Sequence, residues 1–311
     1  MSATIPGARA PRALALLACA SSLALAACDS GGQRTFATPE EAGEALIAAA
    51  ERFDVGALEE ILGPAGVDLV VTEDAVQDRN QAAAFAAQAR EKMGIERDPE
   101  DPGRALLAVG PETWPLPIPL VEREGEWSFD TEAGRQEILY RRIGRNELDA
   151  IEICHGYVEA QHEYALEKRD GSLVNQYARR IVSTPGRQDG LAWQAADGTW
   201  EGPIGEGIAR VIAEGYSDRR EPYHGYFFKI LTGQGPSAPL GEMDFFVGGA
   251  MIGGFALVAT PADYGVTGVK SFMVSHDGVV YEKDLGPEAL DAFWAMERFD
   301  PDESWSPVEA E

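Results

Sequence analysis

Residues 268–282 read GVKSFMVSHDGVVYE. Two strand-like runs, Gly268 to Ser275 and Val279 to Glu282, flank His276-Asp277-Gly278, and Asp-Gly between such runs is a strong short-range hairpin signal. A strand over Phe255 to Thr260 precedes them. Tyr223 to Leu231 alternates so that Tyr226, Phe228 and Ile230 share one face. The last third of the chain therefore reads as an antiparallel meander. Pro287 opens a closing helix carrying Leu290, Phe293, Trp294 and Met296. The acidic tail after Phe299 is expected to fray.

Upstream, Leu148, Ile151, Cys154, Val158 and Ala165 form one stripe of a helix over about 145–168, ended by Asp170-Gly171. A separate helical segment over about 132–142 is expected before it, capped by Thr131. Residues 183–202 are rich in Gly, Pro and Asp, with a short strand around Leu191 to Trp193, and Pro203 opens a short helix to about Glu214.

The first third begins with Thr38-Pro39-Glu40-Glu41, a capping-box start with proline at the first helical position. Ala42, Leu46, Ala49 and Phe53 follow at helical spacing. Asp54 caps a second helix with Leu58, Ile61 and Leu62, closed by Gly63-Pro64. A third helix runs from about Asp78 to Met93 and stops at Gly94, and the charged stretch 96–104 reads as a loop. Ala105 to Val109 is a strand. Leu116 to Val121 carries Pro117 and Pro119 and fits an edge or irregular strand. Glu124-Gly125 turns the chain into Glu126 to Asp130. The fold class is α+β. The organisation is an N-terminal α+β domain over 38–142, a helix-plus-sheet domain over 143–299 and an acidic tail over 300–311.

Residues 1–27 have the plan of a secretory signal. Arg9 and Arg12 precede an apolar run from Ala13 to Ala27, which at about 22 Å of helix is too short for a ~30 Å hydrocarbon core. The run ends in Leu25-Ala26-Ala27-Cys28, residue for residue a bacterial lipobox. Cys28 is the expected lipidation site, and residues 28–37 form a short tether to a membrane facing the periplasm. The mature chain would hold only Cys28 and Cys154, and with Cys28 acylated no internal disulfide is expected. Acids outnumber bases 52 to 26, for a net charge of −26, which sets the chain against nucleic acid as a partner.

Catalytic signatures are sparse. Cys154-His155 pairs a thiol with an imidazole, but helical neighbours point about 100° apart, and Cys154 falls on the apolar stripe. His155, Glu159 and His162 share a helix face, yet one straight helix does not converge three ligands on an ion, so no metal site is expected. Asp170-Gly171-Ser172 lacks the later acidic positions of a calcium loop and reads as a turn. No Walker loop, G-x-S-x-G or H-E-x-x-H occurs, and no cofactor is expected. His224 is placed on the strand face of Tyr226 and Phe228, and these three are the candidate ligand contacts. His276 is expected in solvent.

Pro222-Tyr-His-Gly-Tyr-Phe-Phe-Lys-Ile-Leu231, Gly253-Gly-Phe-Ala-Leu-Val-Ala259 and Gly278-Val-Val-Tyr-Glu-Lys-Asp-Leu-Gly286 resemble the bacterial family called domain of unknown function 2950. Ile143-Gly-Arg-Asn-Glu-Leu148 and Trp114-Pro-Leu-Pro-Ile-Pro119 do so as well. The resemblance spans roughly residues 36–305 and implies an exported envelope protein without supplying an activity. In pattern, the N-terminal part is similar to nuclear-transport-factor-2-like folds. Residues 145–285 look like the globular part of pilins and pseudopilins, without their apolar N-terminal helix. The expected role is that of a non-catalytic envelope lipoprotein contacting an envelope protein or polymer. The alternatives are a small-ligand binder with an apolar pocket in residues 38–142 and an envelope hydrolase using carboxylates or His224.

Overall fold

The computed structural model describes residues 32–71, 75–207 and 222–309. Cys28 and the leader lie outside the described residues, as does most of the helix expected after Pro203. The fold is α+β, in two compact units.

The first unit comprises the chain up to Trp114 together with Leu120–Phe129. Its first helix, α1 (Pro39–Arg52), starts where Thr38 Oγ1 accepts the Glu41 N–H at 3.1 Å and the Glu41 carboxylate accepts the Ala37 N–H at 3.3 Å. Phe53, in the left-handed region at φ 46°, ends it. Asp54 then caps α2 (Val55–Leu62) through the Ala57 N–H at 3.1 Å. The third helix is α3 (Ala75–Glu91), whose Arg90 reaches Glu44 at 2.7 Å and Glu51 at 3.0 Å on α1.

Strands β1 (Met93–Arg97), β2 (Arg104–Val109), β3 (Trp114–Pro115), β4 (Leu120–Arg123) and β5 (Glu126–Phe129) follow. The sheet runs β1-β2-β4-β5, all antiparallel. Strand β1 corrects the expectation of a helix to Met93 and a loop from 96. Met93 to Arg97 pair with Val109 to Ala105, and the loop shrinks to a turn built on Asp98, whose carboxylate accepts the Glu100 N–H at 2.9 Å. Regular pairing resumes at Leu120, past Pro117 and Pro119, which have no N–H to donate. The core is filled by Leu46, Ile47, Leu58, Ile61, Leu107, Leu120, Trp127 and Phe129, all buried.

The second unit comprises Pro115–Pro119 and the chain from Asp130. One helix of 34 residues, α4 (Thr131–Tyr164), replaces the two expected segments. The boundary expected between residues 142 and 143 falls inside it. Asp130 is the cap in place of Thr131, accepting the Ala133 N–H at 3.1 Å. The helix passes Gly144 without a break and ends before residue 168.

The remaining strands are β6 (Trp193–Gln194), β7 (Trp200–Glu201), β8 (Tyr226–Leu231), β9 (Gly233–Gln234), β10 (Met243–Asp244), β11 (Phe246–Val247), β12 (Ala250–Met251), β13 (Ala256–Pro261), β14 (Lys270–Ser275), β15 (Val280–Asp284), β16 (Arg298–Phe299) and β17 (Ser306–Pro307). The main sheet is antiparallel in the order β17-β15-β14-β13-β8. All six residues of β13 are buried, so both faces of the sheet are covered there. Helix α4 packs on β13 and β14, and the closing helix α5 (Ala289–Ala295) packs on β13. Lys229 of β8 donates to the Phe293 and Trp294 carbonyls at the end of α5, and burial holds its amine below the usual lysine range.

The tail is not frayed through residue 309. Trp305 is 8% exposed, with the Lys283 ammonium 5.7 Å from its ring centre. Tyr281 and Glu282 pair with Pro307 and Ser306, and the Val308 N–H reaches the Val280 carbonyl at 2.8 Å. An aromatic anchor and a strand edge outweigh the local excess of acid.

Candidate functional site

The chain enters β8 through a two-residue turn. Tyr223 and Tyr226 exchange both backbone hydrogen bonds, at 2.8 and 3.0 Å, around His224 at φ 49° and Gly225 at φ 76°. These are the φ signs of a type I′ hairpin turn, a place for Asn-Gly rather than His-Gly. A non-glycine residue in this region carries strain of about 1–2 kcal/mol. His224 therefore does not continue the alternation of Tyr226 and Phe228. It sits at the apex of a turn.

Contacts to α4 hold that turn. His224 Nδ1 pairs with Asp149 Oδ2, the side chains being 37% and 28% exposed. The Tyr223 ring tilts against the imidazole, with centroids 4.2 Å apart. A Cβ at Gly225 would stand 2.6 Å from Asn146 Nδ2 and 2.9 Å from Thr267 Cβ, so only glycine fits. Asn146 Nδ2 donates to the Thr267 carbonyl at 2.8 Å, and Arg142 Nε donates to the Val266 carbonyl at 3.2 Å. Arg142, Asn146 and Asp149 follow one another at helical spacing along α4, so a single face of that helix organises the turn and the loop before β14.

The other two candidate contacts lie elsewhere in the packing. Tyr226 is wholly buried, and its hydroxyl donates to the Lys270 carbonyl at 2.8 Å. Burial pushes its phenol well above the usual tyrosine range, reinforced by the nearby Glu147 carboxylate. Phe228 is half-buried against the core. Asp149, absent from the sequence-derived candidates, is the acid that meets His224. It lies 75 residues away along the chain, which no local pattern bridges.

Cys154 has no exposed surface, and burial pushes its thiol up to about 12. That is a core side chain, not a nucleophile. His155, Glu159 and His162 are all exposed, and no group of three metal-binding side chains occurs among the described residues. His276 departs from the expected solvent position. Its Nδ1 is buried without a hydrogen-bond partner, and the ring lies edge-on to Phe245 and Phe255 at 6.1 and 6.2 Å. Asp170 turns the chain at φ 56° and accepts the Arg187 guanidinium on both oxygens, Nε on Oδ1 and Nη2 on Oδ2.

Two open hollows lie on the surface of the described residues. One, of about 410 Å³, is lined by Arg34, Phe36, Glu40, Glu41 and Glu44. The other, of about 500 Å³, lies along Ser237 and residues 301–304. Neither is the apolar pocket that a small-ligand binder would use.

A family model described as "Protein of unknown function (DUF2950)" matches residues 33–308. No curated protein and no solved structure matches the chain.

Proposed function

We propose a contact role at the bacterial envelope for this chain, which belongs to the DUF2950 family of proteins of unknown function. In this reading Cys28 of the Leu25-Ala-Ala-Cys28 lipobox carries the lipid anchor, and the globular units face the periplasm. The second unit meets an envelope protein or polymer at the His224 turn, without chemical turnover. The observation that carries the reading is the strained backbone of His224. A turn serving only connection is more stable with asparagine or glycine there, and strain that persists against that alternative points to use of the side chain.

Two measurements test it. Cys28→Ala should move the protein from the membrane pellet to the soluble exported fraction. A photo-crosslinking residue at Leu148, which is 64% exposed and precedes Asp149, should give one discrete adduct in whole cells that His224→Gln removes. A smear of adducts unchanged by His224→Gln would sink the contact reading.

The same geometry favours a second reading, in which the protein is an envelope hydrolase. A carboxylate on Nδ1 fixes the imidazole tautomer and leaves Nε2 to take a proton from water. Turnover of an envelope ester or amide, lost in both His224→Gln and Asp149→Asn, would select it. A panel that shows no turnover by the wild type would exclude it.

A further inference from the structure

Charge in this chain is acidic at two to one, yet the middle of α4 inverts the balance around the His224 turn. Residues 141–149 read RRIGRNELD. The acids of this stretch are both engaged. Glu147 Oε1 accepts the Val269 and Lys270 N–H groups at 2.8 and 2.9 Å, and Asp149 is paired with His224. Arg141 is likewise engaged, with Glu137 at 2.8 Å and the Pro115 carbonyl at 2.8 Å. Two cations remain. Arg142 commits only Nε, to the Val266 carbonyl, which leaves its terminal nitrogens. Arg145 is exposed and has no hydrogen-bond or ion-pair partner among the described residues. It lies one helical turn before Asp149, so their Cβ atoms are about 5–6 Å apart. Asp263, exposed on the loop before β14, is the acid on the facing segment.

We propose that Arg145, the terminal nitrogens of Arg142 and the Nε2 edge of His224 form a binding site for one phosphate or carboxylate group, with Asp149 as the residue that positions the imidazole. The guanidinium forks match the planar or tetrahedral oxygens of such a group two at a time. The turn supplies a third contact at an angle fixed by the Asp149 pair, by Gly225 wedged on Asn146, and by the Tyr223 ring. The assignment rests on the contact reading of the His224 turn and names the chemistry of what is contacted.

The full-length mature protein carries four histidines, so ring-nitrogen NMR of histidine-labelled protein gives few signals, and His224→Gln identifies one of them. Inorganic phosphate should move the His224 signal saturably. Arg145→Gln should weaken that affinity about tenfold without altering thermal unfolding. Asp149→Asn should weaken phosphate binding while leaving thermal unfolding unchanged, and Asp149→Glu should restore part of the affinity, responses that a purely structural aspartate would not give. With Cys28→Ser removing the acyl anchor, capture of the otherwise wild-type mature protein, but not of its Arg145→Gln variant, by phosphatidylglycerol vesicles would assign the phosphate to a lipid headgroup. Phosphate binding without vesicle capture would assign it to a soluble or polymer-borne group.

A His224 signal that phosphate does not move, or that moves equally in Arg145→Gln, overturns the site. If the Leu148 adduct still depends on His224 in that case, the contact reading stands and only the anionic ligand falls. Loss of both removes the two together.

Discussion

Gln161 and Ala178 are joined as two strands would be: the Gln161 side chain accepts the Ala178 N–H at 2.8 Å and donates to the Ala178 carbonyl at 2.8 Å. The same amide nitrogen lies 2.9 Å from the Tyr157 hydroxyl, and all three residues are buried. One side chain of α4 thus satisfies the backbone of a segment that belongs to no strand. Gln161→Leu keeps the volume but strands a buried N–H and C=O. It should destabilise the protein by roughly 2–4 kcal/mol in denaturant unfolding. A loss below about 0.5 kcal/mol would mean that water replaces the amide.

Three glycines of α4 should respond with opposite signs to the same substitution. Gly144→Ala and Gly156→Ala meet no atom within 4 Å and should each stabilise by about 0.5–1 kcal/mol through helix propensity. A Cβ at Gly134 would meet Ile118 Cγ1 at 2.7 Å and its Cα at 3.0 Å. There the steric conflict exceeds the helical gain, so Gly134→Ala should destabilise by about 1–3 kcal/mol. Thermal melts of the three variants decide the matter by sign alone.

Removal of the tail should cost far more than its composition suggests. Trp305→Ala opens the space under Lys283 and should destabilise by roughly 3–5 kcal/mol. A stop after Phe299 should do at least as much, because β17 is lost as well. Limited proteolysis that cuts the wild type readily before Trp305 would contradict the docked tail.

Asp189 ties stability to pH. Burial alone would raise its carboxyl, but hydrogen bonds from the Thr184 backbone and hydroxyl, with the Arg180 and Arg179 charges, more than offset that and hold it below its ordinary value of 3.8. Its contribution is therefore full above about pH 4 and fades as pH falls through the lowered folded value. Asp189→Asn should cost about 1–2 kcal/mol near neutrality. The gap between wild type and variant should close on acidification, measured by urea unfolding across the acid range.

Cys154 gives a probe of opening. In the mature chain, without the leader that carries Cys19 and with Cys28→Ser, maleimide should label the folded protein only as fast as the second unit unfolds. Rapid labelling of the native protein would contradict the burial of the thiol.

What the sequence made legible was local. Thr38 and Asp54 announce α1 and α2 because a cap and the N–H it accepts are three residues apart. Asp277-Gly278 announces the β14–β15 hairpin for the same reason. Strand β1 was hidden because its apolar alternation is only Met93 and Ile95 around a glycine, and β2 supplies the rest of its pairing. The continuity of α4 was hidden by Thr131, which looks like a cap, and by Gly144, which looks like a break. Packing along the helix outweighs both. At the site, His224 misled because any non-glycine residue in the left-handed region is uncommon, so the strand alternation was carried one turn too far. Its partner Asp149 is set by tertiary packing alone.

The uninterrupted α4 also bears on the order in which the second unit is assembled. The helix leaves the ribosome well before β13 and β14, the strands that cover it. Its inward row of Ala150, Cys154, Tyr157 and Tyr164 has no strand of that sheet to rest on until the chain is nearly complete. Contacts of such long sequence separation make folding slow. During synthesis the second unit therefore carries an uncovered apolar row along α4 until its last strands arrive.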